Sequence, residues 1–432
     1  MKILLVKPYW PYPYNTSEYT YNRFWPPICL ANCAAILEKN GFSVKILDCH
    51  ASRIKPQQVK KYIEKFDKIF ITSSTLDKWQ CPNIDIDTFL DTARQIKEAN
   101  SEIYVMGYHG TVDPERILKL TKARAVIRNE PENSILAICQ NRELSGIGGI
   151  SFFQKEQFIS TPKNEQVDLT NLPMPAFHLL DFRKYSYEIL GGNFSLFEIS
   201  RGCHFDCKFC NNIMYGQGVR RKSKNQVFEE IDLAVKKYRV RSGYFIDLDF
   251  LSSKEIVDSL CDFLVDKKYK FRWACQTRPD RLDATILKKM KMAGCKVIHL
   301  GIETYTQELL DAIDKKLSIE KIKQAIELCR SVGIKTFAFI IFGLPGETEK
   351  DRNCILRSVK KLNPDFVSFH KLIRFGADNM AEDDSYSGRE INQFIRKAFI
   401  EYYFRLSRIS KIDPPLMLRC LKLLYGRIKT LS

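Results

Sequence analysis

The sequence predicts an α/β protein: an N-terminal doubly wound, Rossmann-like domain, a linker, a partial (β/α)6 barrel and a C-terminal helical cap. Three observations lead there. Apolar runs of strand length alternate with helix-spaced patterns from the first residues onward, a polar Pro-punctuated stretch interrupts this alternation, and it then resumes for six further units before basic helical patterns take over. The 432 residues and 45% hydrophobic content suffice for two ordinary domains and a smaller appendage.

In the first alternation, residues 2–6, 43–47, 68–73, 102–107 and 125–128 read as strands, and residues 26–40, 56–65, 86–100 and 114–121 as helices, several opening with Pro in the first turn. Sheets of this kind take their ligands beyond the carboxyl ends of the strands. This domain is placed at residues 1–145. Residues 146–192, containing a short hairpin at 146–159 and the run Leu172-Pro173-Met174-Pro175, are expected to be a linker. The second alternation, placed at 193–375, has strands expected at 197–200, 243–247, 271–276, 296–303, 336–342 and 366–369, with helical patterns such as 225–238 and 318–332 between them. In the remainder, 376–432, helix-spaced apolar positions at 391–403 and 416–431 are interrupted by Arg396, Arg405, Arg408, Arg419, Lys422, Arg427 and Lys429. Such helices either cover the open side of the barrel or lie on an anionic membrane surface.

Composition narrows the classes. No apolar run is long enough to span a membrane and the first residues read as a strand, so a cytoplasmic location is expected, with peripheral membrane contact through the basic helices as the alternative. The fourteen cysteines are scattered without a secretory pattern, which favours reduced thiols and metal ligation. A net charge of +17 biases the surface toward anions but does not by itself indicate nucleic acid.

The chemistry concentrates in Ser200-Arg201-Gly202-Cys203-His204-Phe205-Asp206-Cys207-Lys208-Phe209-Cys210. Three thiolates in a C-x3-C-x2-C loop can bind three irons of a four-iron cube and leave the fourth iron without a protein ligand. Zinc, with His204 as a fourth ligand, is the alternative.

This loop resembles the signature of the radical S-adenosylmethionine (SAM) superfamily. The resemblance implies that Cys203, Cys207 and Cys210 hold a 4Fe-4S cluster whose open iron chelates SAM, and that reductive cleavage releases a 5′-deoxyadenosyl radical. It places Phe209 beside the adenine, although a loop-anchoring role suits that residue equally. Further along, Trp273-Ala274-Cys275-Gln276-Thr277-Arg278-Pro279-Asp280-Arg281 and the run from Met290 to Glu303 resemble the subgroup that also carries cobalamin-binding domains. Carried over, Glu303 binds the SAM ribose, as a carboxylate at a strand end does in dinucleotide sites; a structural Glu capping the next turn is the alternative. Arg278 is expected to reach the SAM carboxylate or orient substrate. Asp247 or Asp249, at the end of the second barrel strand, is expected near the SAM amino group, with the inward one left open. Gly343-Leu344-Pro345-Gly346-Glu347 resembles the family's G-x-P-G-E turn and positions rather than catalyses.

The opening Lys7-Pro8-Tyr9-Trp10-Pro11, the segment from Pro26 to Asp48 and Met106-Gly107-Tyr108-His109-Gly110-Thr111 look like the cobalamin domain of radical SAM methyltransferases and of the anaerobic chlorophyll-ring cyclase. That resemblance implies a corrin pocket lined by Thr72, Ser73, Ser74, Gly107, Tyr108 and His109, with a cap on the following segment as the alternative role for Thr72 to Thr75. Two departures stand out. Met106 occupies the first position of the usual glycine pair, and Asp48-Cys49-His50 begins a cobalt-ligating D-x-H-x-x-G motif but lacks its glycine.

The expected reaction is methylation of an unactivated carbon of a small-molecule or lipid-like substrate, with methylcobalamin as donor and flavodoxin or ferredoxin as electron source. Cyclisation or rearrangement by the same radical is the enzymatic rival, and a non-catalytic cobalamin or iron-sulfur sensor the rival from another class. A nucleic-acid methylthiotransferase would carry further N-terminal cluster cysteines and a C-terminal β-domain, neither of which is visible here.

Overall fold

The computed structural model describes residues 1–11, 22–99, 102–373, 375–376, 379–380 and 385–405. The first sheet is built from β1 (Lys2–Lys7), β2 (Ser43–Asp48), β3 (Lys68–Thr72), β4 (Ile103–Met106) and β5 (Ala125–Ile127), all parallel, continued by an antiparallel hairpin of β6 (Ile150–Gln154) and β7 (Gln157–Ser160). Its strand order is β2-β1-β3-β4-β5-β6-β7. The hairpin expected in the linker is thus an edge of this sheet: Val126 pairs with Ser151 and Ile127 with Ile150.

Alternation of side chains explains why both faces must be covered. Ile3 and Leu5 of β1 pack into one core with Leu30, Cys33 and Leu37 of α1 (Ile28–Lys39), while Leu4 and Val6 pack into another with Phe89, Ala93 and Ile96 of α2 (Asp87–Glu98). The short α3 (Tyr108–Val112) follows β4, and α4 (Pro114–Thr121), whose bounds match the expected ones, is capped by Asp113 accepting from the Arg116 amide. The helix expected at 56–65 is a 3₁₀ turn at Pro56–Gln58 followed by the single turn Lys60–Ile63. Here Lys60, Lys61, Glu64 and Lys65 leave few apolar positions to bury. The α5 helix (Glu132–Cys139) completes the layer with α1.

The second sheet is the expected six-stranded parallel arc: β8 (Phe194–Phe197), β11 (Ser242–Phe245), β12 (Arg272–Thr277), β13 (Cys295–Glu303), β14 (Lys335–Phe342) and β15 (Phe366–Lys371), in that spatial order. One correction concerns the first strand. Pairing with the barrel ends at Phe197, and Ser200–Cys203 forms a separate strand, β9, antiparallel to β10 (Gly218–Arg221). The cysteine loop is therefore carried on a two-stranded ribbon rather than directly on the barrel. Helices α6 (Lys224–Lys236), α7 (Lys254–Asp266), α8 (Ala284–Met292), α9 (Ile319–Val332) and α10 (Glu349–Leu362) cover the outside. Inside, aromatic side chains fill the barrel. The buried His299 ring stacks on Phe337 at 4.6 Å and bonds the Tyr187 hydroxyl at 2.9 Å, and burial lowers its pKa well below the usual histidine range.

The last described helix, α11 (Ser385–Tyr403), lies along β15: Phe394 meets Phe342, Phe399 meets Phe369, and the Tyr403 hydroxyl bonds both the amide and carbonyl of Val367. Of the two roles expected for the C-terminal helices, this one closes the open edge of the barrel. The pattern at 416–431, with Arg408, Arg419, Lys422, Arg427 and Lys429, lies outside the described residues. No helix among the described residues is long and apolar enough to cross a membrane.

Candidate active site at the cysteine loop and the facing crevice

The loop from Cys203 to Cys210 is held from three sides while its thiols are left without a covalent partner. Its backbone is anchored by the Lys208 amide on the Ile313 carbonyl (3.0 Å) and by the Lys208 ammonium on the Ala312 carbonyl (3.2 Å). Phe205 lies under the guanidinium of Arg278, 3.6 Å from its centre. Cys203, Cys207 and Cys210 are partly exposed free thiols. Among the described residues no group of three or more His, Cys, Asp or Glu side chains is drawn together as the ligands of one bound ion would be, and His204 sits 3.4 Å from Arg221. Burial raises the pKa of each thiol, that of Cys210 to about 12, and the positive charge of Lys315 opposes this at all three. A thiolate ligand set of this kind is stabilised as anions by the metal that it holds. Three such thiols with one side of the loop open fit a cluster with one iron free of protein ligands.

Glu303 ends β13 in a left-handed conformation (φ 66°), just after an irregularity in the register with β14. This unfavourable backbone turns a carboxylate inward at the mouth of the barrel. Its Oε1 pairs with the Lys315 ammonium at 2.8 Å, both side chains being buried. Gly301 lies beneath them, and a Cβ there would stand 2.7 Å from Glu303 Oε1 and 3.1 Å from Lys315 Nζ, so a side chain would displace the ends of this pair. Lys315 lies between two residues of positive φ, Asp314 and Lys316, and its ammonium is 5.4 Å from the centre of the Phe209 ring. Lys315 was not anticipated from the sequence. It joins two expected SAM contacts, Glu303 and Phe209.

The other expected SAM residues are already engaged. The Asp247 carboxylate accepts from the Ser200 amide and hydroxyl (2.5 and 2.6 Å) and from the Ile199 amide (3.2 Å), fixing the passage from β8 to the ribbon. Burial raises its pKa to about 7 against those donors. Asp249 accepts from the Thr277 hydroxyl (2.7 Å), the Arg278 amide and Arg281. Arg278 bonds the carbonyls of Lys315 and Lys316 and pairs with Asp280, so here it braces the turn that bears Lys315 rather than facing a free carboxylate. The Gly343 amide donates to Glu347 at 2.9 Å within the Gly-Pro turn, against Ile391 of α11.

The expected corrin residues do come together. The chain leaves β1 for β2 on one side and reaches β3 on the other, and a crevice opens at this reversal. Lys7, Pro8, His50, Thr72, Ser73 and Ser74 line it. Ser74 Oγ accepts from the Tyr108 amide (2.8 Å) and Ser73 Oγ from the His109 amide (3.2 Å). Gly107 (φ 100°) lets the two loops touch: a Cβ there would be 2.8 Å from the Ser74 nitrogen and 2.9 Å from Thr72 Oγ1. The second glycine of the usual pair thus does the close approach, and Met106 is buried in the core behind it. His109 is turned inward, its Nε2 2.8 Å from the Asn83 carbonyl, and burial lowers its pKa to about 4. His50 is packed against Phe24 and Tyr9, and burial, with Lys7 nearby, lowers its pKa to about 3. Both rings are held neutral. Of the expected corrin residues, Thr72, Ser73 and Ser74 line the crevice, and Gly107, Tyr108 and His109 are packed behind them.

Side chains from both domains bind crevice and cysteine loop into one unit. Arg201, two residues before Cys203 and fully buried, pairs with Glu198 (2.7 Å), Glu130 (3.2 Å) and Glu132 (2.8 Å), and its guanidinium lies over Trp79. Arg220, opposite Arg201 on the ribbon, adds two 2.8 Å bonds to Glu130. Gln80, in the loop after β3, donates to Cys210 Sγ at 3.6 Å. Neither this charge cluster nor Gln80 was anticipated.

Known proteins agree with this layout. Residues 197–359 match the radical SAM superfamily and residues 20–138 the B12 binding domain. An uncharacterized methyltransferase of Pyrococcus horikoshii is 25% identical over 94% of this chain and 93% of its own length. The anaerobic magnesium-protoporphyrin IX monomethyl ester cyclase of Rubrivivax gelatinosus is 26% identical over 85% of this chain and 67% of its own. The radical SAM methyltransferase TsrM from Kitasatospora setae, solved with cobalamin and a [4Fe-4S] cluster, superposes with a TM-score of 0.71 at 18% identity, covering 87% of this chain and 76% of TsrM. The cofactors are therefore those of the two matched domains: a 4Fe-4S cluster with SAM, and cobalamin. The chain belongs to the radical SAM superfamily, as an enzyme that carries a B12 binding domain ahead of its partial barrel.

Proposed function

We propose that this enzyme methylates an unactivated carbon of a small-molecule or lipid-like substrate held between the cysteine loop and the crevice of the first sheet. The observation that carries the reading is that Gln80, from the loop bordering the crevice, touches Cys210, which sets the two cofactor sites next to each other. Bound there, the cluster with SAM supplies a 5′-deoxyadenosyl radical and cobalamin supplies a transferable methyl group.

The chain's own residues bind and orient. Cys203, Cys207 and Cys210 each hold one iron. Glu303 accepts the ribose hydroxyls while Lys315 keeps its carboxylate anchored, and Phe209 flanks the adenine. Asp247, Asp249 and Arg278 fix the backbone around SAM, and Gly343 shapes the turn after β14. Thr72, Ser73, Ser74, Gly107 and Tyr108 present backbone and hydroxyls to the corrin, with His109 as an internal brace. A small acidic one-electron donor such as flavodoxin or ferredoxin supplies the reducing equivalent.

The second reading is cyclisation, favoured by the Rubrivivax relative. SAM labelled on its methyl group separates the two. Methylation places label in the product and accumulates both S-adenosylhomocysteine and 5′-deoxyadenosine with turnover. Cyclisation yields deoxyadenosine without matching S-adenosylhomocysteine and an unlabelled product, and that outcome would overturn the proposal.

A further inference from the structure

The end of the barrel remote from the cysteine loop carries a feature that the chemistry above does not use. Two nearly identical segments, Lys236-Lys237-Tyr238-Arg239-Val240-Arg241 and Lys267-Lys268-Tyr269-Lys270-Phe271-Arg272, lead into the neighbouring strands β11 and β12. The parallel register sets Ser242 beside Arg272, and the Arg272 amide bonds the Arg241 carbonyl, so the two basic segments lie next to each other. Lys296, at the start of β13, extends the row. Arg241, Lys270, Arg272 and Lys296 line one open depression with Tyr269, Phe271 and Gly294.

Helix C-termini attract cations, and that accounts for part of the charge. Lys236 pairs with Asp232, Lys289 with Asp258 and Asp262, and Lys291 bonds the Gly333 carbonyl. It does not account for Arg241, Lys270, Arg272 and Lys296, which lie beyond the helix ends and are exposed. Among the described residues their side chains have no ion pair or side-chain hydrogen bond. Two exposed apolar side chains stand at the same end, Met292 (72% exposed) at the end of α8 and Val265 (38%) in the last turn of α7. A soluble anion would engage only the depression. A surface that combines a wide cationic rim with protruding Met and Val side chains suits a broad anionic layer with an apolar interior.

We infer that the amino-terminal end of the barrel, centred on Arg241, Lys270, Arg272 and Lys296, docks the enzyme on anionic phospholipid membrane. The reaction site opens at the opposite end, so docking leaves it uncovered.

The test uses the full chain loaded with cluster and cobalamin, sedimented with vesicles of phosphatidylcholine alone or containing phosphatidylglycerol. Wild type should pellet with the anionic vesicles only, and release as salt is raised. The combined variant Arg241→Gln, Lys270→Gln, Arg272→Gln, Lys296→Gln should partition about a hundredfold less, with unchanged corrin and iron content showing that it is folded. Met292→Ser should weaken partitioning severalfold without altering its salt dependence. Wild type that stays in the supernatant overturns the proposal, as does a quadruple variant that pellets like wild type, which would place the contact elsewhere. Saturable binding of inorganic phosphate or of RNA, lost in the quadruple variant but without vesicle binding, would reassign the surface to a soluble anion or to nucleic acid and equally overturn it.

Discussion

The cysteine loop and the crevice of the first sheet serve one reaction space but are built on opposite plans. The loop concentrates its chemistry in eight consecutive residues and relies on distant groups only to hold it: Ile313, Arg278, Lys315 and, across the domain boundary, Gln80. The crevice has no single reactive group. It is assembled from the carboxyl ends of β1, β2 and β3, and its two serines and threonine are set in place by Gly107, which follows β4 behind them. A site that makes metal bonds must carry particular side chains, whereas a site that accommodates a large planar cofactor needs mainly room and exposed backbone. The first kind therefore tolerates no substitution at its ligands, and the second depends on shape.

The largest effect expected on that contrast is at the ligands. Alanine at Cys203, Cys207 or Cys210 should abolish reductive SAM cleavage and cut bound iron while leaving corrin binding in place, read by anaerobic iron assay and deoxyadenosine yield. Arg201→Met, which leaves the buried Glu132 and Glu198 carboxylates without their cation while Glu130 keeps Arg220, should cost about 3 to 5 kcal/mol of stability by denaturant titration, since a buried ion pair broken on one side leaves uncompensated charge. It should also lower iron and corrin retention together, because this residue ties the ribbon to the first domain. Glu303→Ala should weaken SAM binding by about 1 to 3 kcal/mol in calorimetry and spare the cluster.

A smaller effect concerns Asp247. Its carboxyl has a raised pKa in the folded chain, about 7, so between about pH 4 and 7 the folded state holds a proton that the unfolded state has lost. That contribution to stability falls as pH rises through this window. Asp247→Asn lacks it, so the stability difference between the two proteins should move in favour of the variant from pH 4 to 7, as melting curves across that range would record.

How much of this was legible in the sequence follows the same division. The cysteine triad could be read because all its information is local, and the strand alternation because apolar runs and helical spacing recur with little interruption. Glu303 came through resemblance; its left-handed backbone and its pairing with Lys315, twelve residues on, came only from the fold. Arg201 and Glu130 are 71 residues apart, and Gln80 and Cys210 are 130 apart, so no local pattern announces either contact. The first barrel strand was misplaced by three residues because no Gly or Pro stands between Phe194–Phe197 and Ser200–Cys203, and only pairing partners separate barrel from ribbon. The hairpin at Ile150–Ser160 was read as linker because its pairing with β5 joins strands on either side of α5, and no local pattern states which sheet a hairpin extends.

The most direct test of the claim that the crevice holds cobalamin through close backbone contact is corrin retention by Gly107→Val. Its Cβ meets the Ser74 nitrogen and Thr72 Oγ1, whereas Gly41, also at positive φ (82°), has nothing within 4 Å, so Gly41→Ala reports backbone strain alone. Refolded with hydroxocobalamin and iron, Gly107→Val should lose corrin absorbance while keeping its iron, and Gly41→Ala should keep both. Corrin binding by Gly107→Val at the wild-type level would contradict the account.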